Sequence, residues 1–89
     1  MYNYEIKPSL QKILNKLSKK DSKLCDQVFN KIEEVINSES IEHYKNLRYD
    51  LSDFKRVHIG HFVLIFKLDK NLNLISFEDF EHHDSAYKR

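Results

Sequence analysis

Arg56 and His58 stand two residues apart in the stretch Phe54 to Ile59. They pair a permanent cation with the one side chain type that changes charge near neutral pH. A strand alternates its faces, so an extended Phe-Lys-Arg-Val-His-Ile puts Arg56 and His58 on one side and Lys55, Val57 and Ile59 on the other. Lys45 and Arg48 precede this segment, and His82, His83 and Tyr87 follow it. Cations and imidazoles gathered on one sheet face could lie against an RNA backbone. Periodicity alone favours a solvated polar face. The more specific signal is the whole string from Lys45 to Phe66: a basic loop, an alternating strand, a turn at Gly60 and a nearly continuous apolar strand.

The rest of the composition excludes other chemistries. The chain has a single glycine, so glycine-built phosphate or cofactor cradles are ruled out. Cys25 is the one cysteine, which excludes an internal disulfide, and its place in an amphipathic pattern suits a buried thiol. His82, His83 and His58 do not form a metal-binding spacing, and no metal or small-molecule cofactor is expected. No apolar run approaches the roughly 20 residues needed to span a bilayer. The N-terminal segment lacks the marks of a signal peptide, so a cytoplasmic location without membrane association is expected. Net charge is +1, low for a protein that holds RNA mainly by phosphates, but the charge is unevenly placed. Residues 45 to 67 carry Lys45, Arg48, Lys55, Arg56 and Lys67 against Asp50 and Asp53, whereas residues 77 to 84 carry Glu78, Asp79, Glu81 and Asp84.

These residues need elements to position them, and 89 residues suffice for one domain. Tyr2 to Lys7 alternates as a short strand ended by Pro8. Ser9 reads as the N-cap of a helix whose Leu10, Ile13, Leu14 and Leu17 line one face. Ser18, Lys19 and Lys20 read as a polar break. A second helix opens at Asp21 or Ser22, runs to about Asn37, and carries a wide stripe from Leu24 to Ile36 that includes Phe29. Strands are expected at Phe54 to Ile59, His61 to Leu68 and Leu72 to Phe80, the last two joined at Asp69-Lys70-Asn71. A brief helical turn closes the tail. The order is β-α-α-β-β-β, an α+β fold with a helical hairpin on one face of an antiparallel sheet.

The Leu-Arg loop, the basic alternating strand, the Gly60 turn and the aromatic-rich strand together resemble the RelE/ParE toxin superfamily. The resemblance covers residues 40 to 89 well and the helices in outline. It implies a RelE-type toxin of a type II toxin–antitoxin system, a ribosome-dependent endoribonuclease that cuts mRNA in the decoding site and is held by a RelB-like antitoxin. Carried over position by position, it implies Arg56, His58, His83 and Tyr87 as catalytic residues and Lys45, Arg48, Lys55 and His82 as RNA contacts. Tyr44 and Tyr49 could stack on bases or pack as half-buried tyrosines. The family's next strand typically reads aromatic-Arg-aliphatic-aliphatic-aromatic, but here it reads Phe62-Val63-Leu64-Ile65-Phe66. Val63 in the arginine's place hands that role to His58, His61 or Arg48. Otherwise it indicates a ParE-like gyrase poison or a catalytically decayed, antitoxin-binding relative. An antitoxin is expected over apolar grooves around Leu10, Leu14, Leu17 and Phe29.

Overall fold

The computed structural model describes residues 1–41, 44 and 54–86. Its elements are β1 (Asn3–Ile6), α1 (Pro8–Lys20), α2 (Ser22–Ile36), β2 (Phe54–Ile59), β3 (Phe62–Asp69), β4 (Leu74–His82) and α3 (His83–Ala86). The sheet order is β1-β4-β3-β2. The three later strands form an antiparallel meander, as expected. The first strand instead runs parallel to β4, in register from Asn3 opposite Leu74 to Ile6 opposite Phe77, so the sheet is mixed. The α1–α2 hairpin lies between β1 and the meander in the chain. This long crossover is what a parallel pairing requires.

Local chemistry sets the boundaries. Pro8 occupies the start of α1, where its missing N–H costs nothing, and Lys7 is the flanking residue, so Ser9 lies inside the helix and is not its cap. The expected polar break at Ser18 to Lys20 remains helical. The turn is compressed into Asp21, whose non-helical backbone (φ −151°, ψ 83°) ends α1 while its N–H donates to the Leu17 carbonyl at 2.8 Å. The same residue starts α2, its carboxylate accepting from the Leu24 N–H at 3.1 Å. Gly60 turns β2 into β3 at φ +62°, a region where a side chain is strained. The β3–β4 turn is organised by Asp69, whose Oδ1 accepts from the N–H groups of Asn71 (3.0 Å) and Leu72 (3.2 Å).

The main core lies between the helical hairpin and one sheet face. It gathers Leu10 and Leu14 of α1, Val28, Ile32 and Val35 of α2, and Leu64, Phe66, Ile75, Phe77 and Phe80 of the sheet. Leu10 and Leu14 are therefore core residues and cannot line a partner groove, whereas Phe29 is 44% exposed. The α2 stripe is narrower than its sequence suggests because Phe29 falls outside it. Tyr44 is half-buried and packs edge-on to Phe66 at 5.5 Å. Burial pushes its hydroxyl's pKa up, helped by the nearby Glu34 carboxylate.

Cys25 is buried, with its Sγ 3.7 Å from the Leu14 carbonyl, and burial raises its thiol pKa. The thiolate is the reactive form, so native protein is expected to react with a thiol reagent many times more slowly than urea-unfolded protein. A colorimetric thiol assay with and without urea checks this, and equal rates would contradict the buried placement.

A β-bulge breaks the β3–β4 ladder. Ile65 faces Asp79 but Phe66 faces Phe77, leaving Glu78 as the extra residue. This phase shift lets Phe77 and Phe80, three residues apart, both enter the core. Beyond it, Asp79 and Glu81 share the opposite face of the sheet.

Candidate active site

That opposite face is not bare. Val63 and Ile65 of β3 are fully buried there under Ala86 of α3, with Phe54 packed beside them. The C-terminal turn thus folds back over the sheet, seated by one small apolar residue. A backbone bond from the His83 N–H to the His61 carbonyl, 2.9 Å, fixes its first residue.

This fold-back brings His83 to His58. The two rings lie 5.2 Å apart between centroids, tilted by 32°. Register places the other groups. His58 faces Val63, which faces Glu81, while Arg56 faces Ile65, which faces Asp79. Two parallel rows therefore cross the sheet, each with a basic residue on β2, a small or branched apolar residue on β3 and a carboxylate on β4. Arg56 and His58 are about 7 Å apart along the strand, two residues at the usual rise. Arg56 is half-buried, with its Nε enclosed, and one Glu81 carboxylate oxygen is enclosed too. Asp84 stands at the rim, with its carboxylate 3.6 Å from His83 Nδ1 and 3.8 Å from His82 Nδ1. Its side chain is exposed, so these contacts hold little energy in water.

His82 ends β4 and His83 opens α3, and the two side chains separate. His83 joins His58, whereas His82 turns to the other side, stacked on His61 at 6.4 Å and edge-on to Phe62 at 5.6 Å. Lys55 is also on the helical side, with its Nζ donating to the Tyr44 carbonyl at 3.4 Å. The structure therefore brings Arg56, His58 and His83 together and places Lys55 and His82 apart from them. Lys45, Arg48, Tyr49 and Tyr87 lie outside the described residues. Val63 is the apolar seat of Ala86, so its position serves to mount α3. Sequence reasoning misses Glu81 and Asp79 as site residues. The spacing of Phe77 and Phe80 holds the signal, because two core aromatics three apart in a strand require a bulge that carries the intervening acids to the other face.

A half-buried guanidinium, two imidazoles in ring contact and flanking carboxylates suit proton transfer beside an anion, as in attack at a phosphate ester. The comparisons agree with the architecture. No family model matches the chain. A Methanocaldococcus jannaschii protein named "Putative toxin RelE4" is 52% identical over 90 aligned positions, covering all of this chain and 94% of that one. An uncharacterised Methanosarcina mazei protein is 38% identical over 88 positions, covering 98% of this chain and all of that one. Among solved structures, the isolated E. coli RelE toxin superposes with a TM-score of 0.76 at 18% identity, covering all of this chain and 98% of that one. RelE in the intact E. coli RelBE toxin–antitoxin complex gives 0.75 at 18% identity, over 92% of this chain and 96% of that one. The fold and the 52%-identical relative define a small toxin of the RelE superfamily. The chain belongs to the RelE family of toxins.

Proposed function

We propose that this toxin is a ribosome-dependent endoribonuclease of a type II toxin–antitoxin system. In this reading it cuts mRNA in the decoding site by attack of a ribose 2′-oxygen on the adjacent phosphorus. The observation that carries the reading is the His58–His83 ring contact on the face that also presents Arg56. One imidazole takes the 2′-hydroxyl proton. The new O–P bond forms as the P–O5′ bond breaks, and the other imidazole gives a proton to the departing 5′-oxygen. The products are a 2′,3′-cyclic phosphate and a 5′-hydroxyl. Arg56 neutralises the crowded phosphate, for which a guanidinium offers two parallel donors and a charge that never leaves. Arg48 and Lys45 add cations from the loop, and Tyr87 orients or stacks on the base beside the cut. Lys55 and His82, on the other side of the sheet, contribute to long-range charge only. With the ribosome and mRNA as its targets the toxin acts in the cytoplasm, and a RelB-like antitoxin restrains it. Phe29 on α2 supplies apolar surface for that partner.

Expression without antitoxin is expected to arrest translation before replication, and primer extension on translated messages should show discrete cuts within codons. Arg56→Ala should abolish most cutting. Lys67→Ala should leave it unchanged, because Lys67 sits over the Phe54 ring (5.4 Å to centroid), at the opposite end of the hairpin from His58. Intact messages with arrested replication would indicate gyrase poisoning. Antitoxin binding with neither effect would indicate a decayed binder.

A further inference from the structure

A shallow groove of about 310 Å³ runs between α2 and the outer edge of β2, lined by Gln27, Asn30, Lys31, His58, Ile59 and Gly60. Gln27, Asn30 and Lys31 stand at i, i+3 and i+4, so they form one stripe of the helix facing the strand. Among the described residues β2 is the terminal strand of the sheet, and no further strand closes the groove. Gly60 leaves its lip open, since a side chain there would meet nothing within 4 Å. His58 belongs both to this groove and to the active face, so the two are continuous through one imidazole. Gln27 and Asn30 are exposed, and among the described residues neither amide takes part in a hydrogen bond. The Lys31 ammonium is held by Glu34 at 3.1 Å, which leaves the two amides as the recognition groups.

We infer that this groove is a base-reading subsite that takes an adenine next to the bond being cut. The inference rests on the endoribonuclease reading and extends it to specificity. A nucleotide whose phosphate lies at Arg56 and whose ribose lies at His58 carries its base around the edge of β2 into the groove. Single-stranded RNA is read there by stacking on rings such as imidazole and by hydrogen bonds to exposed base edges. A carboxamide offers one donor and one acceptor side by side, which matches the N7 and N6 amino group of adenine. A groove of this size lies at the lower end of the roughly 300–1,000 Å³ of small-molecule sites, suited to a single nucleotide.

Two measurements test the subsite separately from the cleavage chemistry. In the first, the side-chain amide resonances of Gln27 and Asn30 are followed by NMR as adenosine 5′-monophosphate or cytidine 5′-monophosphate is added to the free toxin. Adenosine 5′-monophosphate should shift the Asn30 and Gln27 amides, and in Asn30→Asp, which keeps the shape but removes the donor, the remaining Gln27 amide should lose its response. In the second, cut positions on translated messages are mapped for wild type, Gln27→Ala, Asn30→Ala and Asn30→Asp. The adenine preference at one position beside the cut should fall by roughly 5- to 100-fold in the variants, through slower cutting at adenine sites with cutting at other sites little changed. Amide shifts without any cutting would uphold the subsite while refuting the endoribonuclease reading. Cutting with unchanged preference and no amide shifts would overturn the subsite alone. Equal shifts with both nucleotides would also overturn it, because they would reduce the groove to a non-selective phosphate contact.

Discussion

His83→Ala is expected to lower ribosome-dependent mRNA cleavage by roughly 100- to 10,000-fold, the usual contribution of one general acid or base. The fold should survive. The His83 side chain is 45% exposed, and the tie to the His61 carbonyl is made by its backbone N–H, which alanine retains. Alanine is also the best helix former, so the short α3 turn should persist. The seat of that turn is Ala86 on Val63 and Ile65, which the substitution leaves untouched. Cleavage within about threefold of wild type, in protein with an unchanged circular dichroism spectrum, would refute a role for His83 in proton transfer.

Phe66→Ala should carry the largest cost in stability, roughly 3–5 kcal/mol by loss of buried area and creation of a cavity. Phe66 has no exposed surface. It sits at the bulge, edge-on to Tyr44 at 5.5 Å and tilted against Phe77 at 5.8 Å, so its removal loosens both neighbours. Against a total of roughly 5–15 kcal/mol for a domain, much of the folded population is at risk. Urea unfolding followed by circular dichroism would measure the loss. A cost below about 1 kcal/mol would show that the core is not organised around this ring.

Much of the fold is legible in the sequence, because long amphipathic periods and strong turn residues are local signals. β2 falls where its alternation puts it, and the stripe of Leu10, Leu14, Val28, Ile32 and Val35 is indeed the inner face of the hairpin. Propensity does not tell which strand the first one joins. Tyr2 to Lys7 reads as a strand in any sheet, and only tertiary packing selects β4 and a parallel direction. Ser9 misleads because a capping residue and a proline compete for the same helix start, and Pro8 takes it. In the candidate site, the shared face of Arg56 and His58 follows from alternation alone. The meeting of His58 with His83 does not, since it depends on a four-residue turn folding back over Val63. The flanking carboxylates stay hidden because the bulge at Glu78 resets the phase of β4.

The parallel pairing of β1 with β4 has a kinetic consequence. The α1–α2 hairpin and the β2–β3–β4 meander are built from contacts close in sequence and can form early. Asn3, by contrast, must wait for Leu74, its partner 71 positions later (74 − 3). Closing so long a loop is the slow, entropically costly part of folding such a topology. β4 is the strand on which that closure depends. It also presents Glu81 and leads directly into His83. Docking of the first strand and completion of the proposed site therefore rely on the same strand but at different moments. Arg56, His58 and His83 all belong to the meander and its tail, so the toxin can assemble its chemistry before the step that finishes its sheet.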